Sequence, residues 1–488
     1  MISYDVVLRG GRVIDPESGL DQVCDVAIAG DRVAAVGIGL APGRREADVA
    51  GQVVTAGFVD LHSHAHDLGS ARLQVAGGVT TALELEAGVT PVAAAYAAAA
   101  AMGRPLNYGF AASWTMARMA VLSGVAPDGA VGSLFANLAD PRWQRAASPG
   151  EIDRVLSILA ADVADGALGI GLLLGYAPGT APEEYVRVAA LAAAGRVPTF
   201  THARDLIEFT PDGPVDGAEE IVRAAGETGA HMHYCHVNST TLRHADRVLA
   251  LVERAQRAGA RVSTEAYPYG AGMTGIGAAF LAPERLADRG LTPTSIIYAP
   301  TGEEVSSAAR LTELRAADPG GLAIIRQLDD GDPADRSVLL RYLTFPSSVI
   351  ASDAMPLTWI GAAPEPTAWP LPPAAVTHPR TAGTYARSIR ALTRDGGLAL
   401  SEVLAKCSLQ PATLLQDRVP AMRRKGRVSE GSDADLVVFD PETISDQATY
   451  SDTTRPSSGI RHVLVNGTFV VRDGRLDPDA QPGRPVRA

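Results

Sequence analysis

Short apolar runs alternate with longer amphipathic stretches through the middle of the chain. Most of these runs are followed by segments of helical period, such as PEEYVRVAALAAAG and AEEIVRAAGETG. Repeated strand–helix units of this kind predict the α/β class and a (β/α)8 TIM-like barrel. The eight predicted barrel strands lie in GFVDLHSH, TTALELE, NYGFAA, ALGIGLLLG, TFTHAR, HMHYCHV, RVSTEAYPY and SVIASDA.

The two ends of the chain have a different pattern. Residues 1–55 contain YDVVLRGGRVID and CDVAIAGDRVAAVG, in which apolar runs are separated by glycine-containing turns, and residues 416–488 contain IRHVLVNGTFVVRDGRL. This spacing is typical of antiparallel strands. We therefore predict a small β-sandwich domain built from both chain ends, around a barrel at 56–415. The charged interval 285–345 is too long for a loop, and we predict an insertion there that would act as a lid.

Composition and charge narrow the classes of function. The net charge of -12, without a cluster of basic residues, argues against nucleic acid as a partner. No run reaches the roughly 18 apolar residues of a membrane span, and no export signal is visible at the start. The three cysteines are far apart in sequence, which favours a reducing compartment. We expect a cytoplasmic protein that acts on a small molecule, and its oligomeric state stays open.

Histidines gather at the ends of the predicted strands. The stretch GFVDLHSHAHD holds three of the ten histidines in the chain, and His62 and His64 point to one face because they are two residues apart. His202, His236 and Asp353 end the fifth, sixth and eighth predicted strands. In a barrel of this kind, these strand ends meet at one mouth. Imidazoles with a carboxylate and an open position for water suit a catalytic Zn²⁺ ion.

This order of ligands on successive strands resembles the amidohydrolase superfamily of metal-dependent hydrolases. The resemblance is closer to its N-acyl-D-amino-acid deacylase (D-aminoacylase) branch, and it covers nearly the whole chain. It implies a hydrolase of carbon–nitrogen bonds other than peptide bonds, with one or two Zn²⁺ ions. The motifs that carry it are GFVDLHSHAHD, GGVTTALELEAG, ALGIGLLLGYAPGTAPEEYVRVAALAAAGRVPTFTHARD, YPYGAGMT, ASDA, HPRTAGTYAR and GRVSEGSDADLVVFDPETISDQATY.

The resemblance implies a role for each of these residues. His62 and His64 would hold the more exposed metal position, with Asp353 close to it. His202 and His236 would hold the tighter position. Asp353 would take the proton of the metal-activated water as general base and then pass it to the leaving nitrogen as general acid.

The residue that bridges two metal ions differs from the family pattern. Many superfamily members use a carboxylated lysine, but the lysines of this chain, Lys406 and Lys425, both follow the eighth predicted strand. The deacylase branch uses a cysteine, whose position here falls on Ala87. Glu84 and Glu86 share one face of that strand, where buried carboxylates are costly unless they are paired or bound to metal. We predict that Glu86 is the metal ligand, with Glu84 as the alternative.

The substrate end of the site departs further from the branch. A lysine that grips the α-carboxylate of the substrate in the branch is replaced here by Asn238. Tyr267 or Tyr269 and Arg380 remain to bind that carboxylate, since a guanidinium binds it in a bidentate manner. Arg204 is a further candidate for anion binding, with a salt bridge as the structural alternative.

Three functions compete on these observations. The leading one is a zinc amidohydrolase that cleaves a linear amide, an N-acyl (D-)amino acid or a related compound. The second is a cyclic-amide hydrolase or cyclase of the dihydroorotase or hydantoinase type, acting on a specialised metabolite; the missing lysine counts against it. The third is a catalytically silent barrel that serves as a scaffold, and the complete set of predicted ligands counts against that.

Overall fold

The computed structural model describes residues 4–211, 213, 215–361 and 367–488. The strands in chain order are β1 (Tyr4–Asp15), β2 (Leu20–Ala29), β3 (Arg32–Gly37), β4 (Gly43–Asp48), β5 (Val53–Ala56), β6 (Phe58–Asp60), β7 (Val79–Val89), β8 (Asn107–Ser113), β9 (Ile170–Leu173), β10 (Thr199–His202), β11 (Met232–Tyr234), β12 (Val262–Ala266), β13 (Ala271–Gly275), β14 (Ile296–Tyr298), β15 (Glu303–Glu304), β16 (Leu322–Arg326), β17 (Ser348–Ile350), β18 (Thr358–Trp359), β19 (Ala375–Val376), β20 (Leu436–Phe439), β21 (Ile460–Val465), β22 (Thr468–Arg472) and β23 (Arg475–Leu476).

Helices separate most of the central strands. They are α1 (Leu68–Ala76), α2 (Val92–Met102), α3 (Trp114–Arg118), α4 (Val131–Ala136), α5 (Pro141–Gln144), α6 (Pro149–Ala164), α7 (Pro182–Gly195), α8 (Gly217–Thr228), α9 (Val237–Thr241), α10 (Ala245–Arg257), α11 (Ala308–Ala317), α12 (Pro333–Thr344), α13 (Arg380–Arg394), α14 (Leu400–Leu404) and α15 (Gln410–Leu415). Among the described residues, none of the helices has both the length and the apolar character to cross a bilayer.

Eight parallel strands form the barrel. They follow one another as β6-β7-β8-β9-β10-β11-β12-β17, so each strand pairs with its neighbour in the sequence of strand–helix units. The barrel is nearly closed by a parallel bridge between Ser63, after β6, and Ala354, after β17. Every strand of this sheet lies in or overlaps one of the eight runs that the sequence pattern singles out, which confirms the predicted (β/α)8 fold.

Apolar side chains from successive strands fill the barrel. Histidine and carboxylate side chains lie beyond this core, towards the carboxyl ends of the strands, where barrel enzymes carry their active sites. The buried interior residues include Val59, Leu83, Ala111, Leu168, Phe200, Cys235 and Val349.

The two ends of the chain form one nine-stranded sheet outside the barrel. Its path is β23-β22-β21-β20-β5-β1-β2-β3, with β4 paired to β1. The antiparallel pair of β5 with β20 joins the amino-terminal strands to the carboxy-terminal ones. Val54 and Leu436, from these two strands, belong to a buried core that is separate from the barrel core. This arrangement accounts for the similar β-type patterns at the two ends.

A small antiparallel sheet is inserted after β12. Its strand order is β13-β16-β14-β15, and it runs from Ala271 to Arg326. The expected insertion, 285–345, therefore starts later and ends later than this sheet. The charged stretch at its end is α12, which buries Leu339, Tyr342 and Leu343 and leads directly into β17 as a helix of the barrel. Asp335, Arg336 and Arg341 make this helix appear charged in the sequence.

Candidate metal centre

The predicted ligands come together at the carboxyl ends of five barrel strands. His62 and His64 follow β6, Glu86 lies near the end of β7, and His202 is the last residue of β10. His236 follows β11, and Asp353 follows β17. All six side chains are buried, with relative exposures from 0% to 7%. The backbone of two of these residues has positive φ, at His236 (27°) and Asp353 (50°). Strained backbone of this type is concentrated at functional sites in proteins.

Glu86 lies between two pairs of histidines. Its Oε2 atom is 3.2 Å from His62 Nε2 and 3.5 Å from His64 Nε2. Its Oε1 atom is 3.1 Å from His202 Nδ1 and 2.6 Å from His236 Nε2. The ligand atoms therefore form two groups of three that share one carboxylate. A carboxylate in this place can bridge two ions.

A second set of carboxylates lies behind the first pair of histidines. Glu265 Oε1 is 2.5 Å from His62 Nδ1, and Glu84 Oε2 is 2.7 Å from His64 Nδ1. A carboxylate accepts the proton of the imidazole at Nδ1, so Nε2 is the nitrogen that each ring can offer to a metal ion. The structure thus places Glu84 on the outer nitrogen of His64 and not between the histidines.

This geometry fits a divalent cation. The Nε2 atoms of His62 and His64 are 3.1 Å apart, and their outer nitrogens are both engaged by carboxylates. When both rings are neutral, the two lone pairs that face each other at this distance repel unless a cation lies near both. Nitrogen and carboxylate donors of this kind are those that Zn²⁺ prefers. The assignment of the six residues as ligands stays a prediction that this geometry supports.

The electrostatic environment favours ionised carboxylates and a neutral His202, but it favours a protonated His64 in the absence of metal. Although burial raises the pKa of Glu84, the neighbouring histidines outweigh it and lower that pKa to about 2. Burial lowers the pKa of His202 below its ordinary value, which keeps its imidazole neutral. Burial also opposes protonation of His64, but the Glu84 and Glu86 carboxylates raise its pKa to about 9. Protons therefore compete with metal at His64, so that metal binding weakens as pH falls.

A cavity opens in front of the histidines, and two polar groups point into it without partners. Arg380 Nη1 and the Tyr267 hydroxyl are buried and have no hydrogen-bond partner among the described residues, and both residues line the cavity. The guanidinium carbon lies 4.7 Å from the centre of the Tyr267 ring. A Cβ atom added to Gly272 would lie 3.3 Å from the Tyr267 hydroxyl and 3.8 Å from Arg380 Nη1. The glycine therefore leaves room for a ligand group that both atoms can reach.

Three of the predicted substrate-binding residues do not line this cavity. The Asn238 side-chain oxygen accepts a hydrogen bond from the backbone N–H of Tyr267, at 3.4 Å. The hydroxyl of Tyr269 faces Asp446, at 3.4 Å, so Tyr267 is the tyrosine that the structure brings to the site. Arg204 forms a buried ion pair with Glu220, at 2.8 Å, and two backbone oxygens occupy its remaining nitrogens. Its guanidinium therefore forms a salt bridge, which is the structural alternative that the sequence analysis left open.

Some residues of the site were not among those expected. Glu265 is a buried acidic residue of β12, and because that strand also contains the polar residues Ser263 and Thr264, it stood out less in the sequence than Glu84 and Glu86 did. Asp60 accepts hydrogen bonds from the backbone N–H groups of His62, at 3.2 Å, and Ser352, at 3.0 Å, and so joins the ends of β6 and β17. Arg289 of the inserted segment also lines the cavity. The sequence of that segment has no periodic pattern from which the position of Arg289 could be predicted.

Comparisons with known proteins agree with this fold and site. An N-acyl-D-glutamate deacylase of Alcaligenes xylosoxydans xylosoxydans is 29% identical over 99% of this chain and 96% of its own length. A D-aminoacylase of the same organism is 29% identical over 96% of this chain and 94% of its own length. A crystal structure of a D-aminoacylase superposes with a TM-score of 0.77, at 26% identity, over 99% of this chain and 100% of the other.

The family model of the amidohydrolase family matches residues 45–471, which include the whole barrel and part of the nine-stranded sheet. This range contains every residue of the candidate metal centre. The match is independent of the geometry of the site, and it agrees with the motifs that carry the resemblance. The chain belongs to the amidohydrolase family, which confirms the prediction of a hydrolase acting on carbon–nitrogen bonds other than peptide bonds.

Proposed function

We propose that this protein is a zinc-dependent deacylase of N-acyl-D-amino acids. One observation carries the proposal: a bridging carboxylate, Glu86, lies between two histidine pairs at the floor of a cavity that also holds the unpartnered polar atoms of Arg380 and Tyr267. The names of the two relatives that align over nearly the whole chain support a linear N-acyl-D-amino acid as the substrate.

The residues that would hold zinc form two positions. His62, His64 and Glu86 form one, and Glu86, His202 and His236 form the other. When bound, zinc lowers the pKa of a water molecule and polarises the carbonyl group of the substrate. The zinc content of the active protein would show whether one or both positions are filled.

Asp353 is the residue that we propose as general base and acid. Its Oδ1 atom is 3.5 Å from His62 Nε2 and 3.6 Å from His64 Nε2, so the carboxylate lies beside the site of attack. It takes the proton of the attacking water at a carboxylate oxygen and then donates it to the departing nitrogen, which leaves as an amine. Arg380 Nη2 donates to the same Oδ1 atom at 2.8 Å and holds the carboxylate in place.

Arg380 and Tyr267 are the groups that we propose for the α-carboxylate of the substrate. Arg380 Nη1 supplies a charged donor. Burial raises the pKa of Tyr267, so its hydroxyl keeps its proton and supplies a second donor. Both atoms face the space in front of Gly272. Together they offer two donors to one carboxylate without the lysine that Asn238 replaces.

Arg289 is the residue that we propose for recognition of the side chain of the substrate. It lines the same cavity, and its Nε atom is buried without a partner among the described residues. Its guanidinium carbon is 4.8 Å from the centre of the Phe280 ring, and it pairs with Asp205. A guanidinium with a free donor suits a second carboxylate. We therefore expect acidic amino acids, such as those in the names of two relatives, to be favoured.

The alternatives have less support. A cyclic-amide hydrolase with a bridging lysine is not compatible with the positions of the two lysines. Lys406 donates to the backbone oxygens of Phe345 and Ser348, and Lys425 pairs with Asp435. A silent scaffold would need no ionised carboxylates among buried histidines. A cytoplasmic location is part of the proposal, and it is supported by three buried cysteines that form no disulfide.

The test is amine release by the zinc-loaded protein from N-acetyl-D- and N-acetyl-L-amino acids, with hydantoin and dihydroorotate alongside. We expect turnover of the D series, with N-acetyl-D-glutamate and N-acetyl-D-aspartate ahead of N-acetyl-D-leucine. Asp353→Asn serves as the inactive control. Cleavage of the cyclic substrates alone, or no turnover of any substrate by protein with full zinc content, would contradict the proposal.

A further inference from the structure

We infer that Phe135 is a specificity-determining residue, which restricts the acyl group of the substrate to short chains such as formyl and acetyl. This inference rests on the proposed deacylase function and adds the chemistry of the acyl half of the substrate to it. Phe135 was not among the residues expected from the sequence, because it lies on α4, away from the ends of the barrel strands.

The direction of the acyl group follows from the order of the groups along the site. Arg380 Nη2 is 2.8 Å from Asp353 Oδ1, and the same oxygen is 3.6 Å from His64 Nε2. In the proposed reaction, the α-carboxylate of the substrate lies at Arg380 and the leaving nitrogen lies at Asp353. The carbonyl carbon is bonded to that nitrogen, so the acyl chain extends away from Arg380 and towards His64.

The ring of Phe135 lies next to His64 in this direction. It meets the edge of the His64 ring, with the two ring centres 6.0 Å apart and the planes at 89°, which is an edge-to-face contact between aromatic rings. Phe135 also lines the cavity that contains Asp353 and Arg380. An acyl chain that starts beside His64 therefore meets the phenyl ring, and a long chain has no space there.

The packing of α4 explains why Phe135 points this way. Leu134, the preceding residue, is fully buried in the main apolar core. Successive side chains of a helix are about 100° apart around its axis, so Phe135 faces away from that core and towards the inserted sheet. There it packs against an apolar cluster that includes Met273, Leu322 and Met355. The ring is thus held between the inserted sheet and the metal-ligand histidines.

The backbone that carries Phe135 is fixed against the inserted segment. A Cβ atom added to Gly320 would lie 3.2 Å from Ala136 Cα and 3.3 Å from the backbone oxygen of Phe135, so this close approach depends on the absence of a side chain at Gly320. Just after α4, the backbone oxygen of Asn137 accepts a hydrogen bond from Trp143 Nε1 at 3.1 Å. A longer acyl group cannot displace the ring without breaking these contacts.

A second cleft lies on the far side of the phenyl ring. In the part of the chain that the structure describes, Phe135 is the one residue that lines both this cleft and the cavity in front of the histidines. Pro319, Leu322 and Pro356 give the cleft an apolar lining, and Asp318 is its charged residue. Loss of the ring would join the two spaces, and the apolar lining would then favour an alkyl chain.

The experiment measures kcat/KM of the zinc-loaded protein for the N-formyl, N-acetyl, N-butyryl and N-hexanoyl derivatives of the D-amino acid whose N-acetyl form is cleaved fastest. We expect wild type to lose about tenfold or more from acetyl to hexanoyl. Phe135→Ala should raise the hexanoyl-to-acetyl ratio about tenfold or more, and Phe135→Leu should raise it by less. Phe280→Ala is the matched control, since Phe280 lines the same cavity beside His202, and it should leave the ratio unchanged.

The ratio separates this inference from the proposed function, because damage to the fold lowers all of the rates together. Wild type that cleaves the hexanoyl compound as fast as the acetyl compound, or a ratio that neither Phe135 variant changes, would overturn the inference and leave the deacylase proposal standing. Wild type with full zinc content that cleaves no N-acyl-D-amino acid would overturn both. If circular dichroism shows that Phe135→Ala fails to fold, Phe135→Leu, which keeps an apolar side chain on α4, gives the decision.

Discussion

Arg380 holds Asp353 through two contacts. Its Nη2 atom donates to the carboxylate oxygen Oδ1 of Asp353 at 2.8 Å, and its Nε atom donates to the backbone oxygen of the same residue at 2.5 Å. The remaining nitrogen, Nη1, faces the cavity. One side chain thus orients the proposed base and offers a donor to the substrate. The residue that recognises the substrate and the residue that moves the proton are therefore held in a fixed relation.

Replacement of Asp353 by asparagine should stop turnover and keep the metal. The amide oxygen can still accept from Arg380, so the geometry is retained, but the side chain can no longer take a proton. We expect kcat to fall by about 10²- to 10⁴-fold, the range for loss of a general base. Steady-state rates and zinc content of the same preparation check this. Activity near that of wild type would assign proton transfer to another group.

The two neighbouring tyrosines should differ in their effect on substrate affinity. Tyr267→Phe removes a buried hydroxyl that faces the cavity, and the loss of one hydrogen bond to a carboxylate should raise KM about tenfold, or about 1.4 kcal/mol. Tyr269→Phe is the matched control, since its hydroxyl faces Asp446 outside the cavity. We expect it to leave KM unchanged. Equal effects of the two changes would argue against the proposed carboxylate site.

Glu86→Gln should lower the zinc content of the purified protein. A neutral amide cannot present two anionic oxygens to His62 and His236, which Glu86 approaches within 3.2 Å and 2.6 Å. Elemental analysis after equilibration with zinc would measure the change. Glu253→Gln, at an exposed position of α10, is the control and should bind as much zinc as wild type. Full metal stoichiometry in Glu86→Gln would exclude Glu86 as a ligand.

His462 should contribute to the acid sensitivity of the fold. Burial lowers its pKa from the ordinary value to about 4, and its Nδ1 accepts from the backbone N–H of Asp473. The unfolded chain, in which a histidine has a pKa of about 6.5, therefore binds more protons between pH 6.5 and pH 4. The stabilising effect of the neutral ring is complete above pH 6.5 and is lost as pH falls through this window.

His462→Gln removes this titration and keeps an acceptor for the Asp473 N–H. In chelator-treated protein, where metal release plays no part, the urea midpoint of the variant should fall less than that of wild type between pH 7 and pH 5. Parallel losses in the two proteins would show that His462 does not titrate in this window.

The local pattern of the sequence determined much of the fold and part of the site. Alternation of apolar runs and helical stretches was sufficient for all eight barrel strands, because a strand buried on both faces must be apolar. The order of His62, His64, His202, His236 and Asp353 at strand ends placed them at one mouth. Glu86 stood out because a carboxylate in such a strand needs a partner.

Only the tertiary structure decided which side chains meet. Glu265 reaches His62 across more than 200 positions of sequence, and the closure of the barrel and the register of its strands set that distance. The same applies to Tyr267 and Tyr269, which are two residues apart. The hydroxyl of Tyr267 faces the cavity, whereas that of Tyr269 faces Asp446. Arg204 pairs with Glu220 because helix α8, which carries Glu220, packs beside Arg204. Sequence determines which residues are polar and where strands end, whereas packing between distant segments determines their partners.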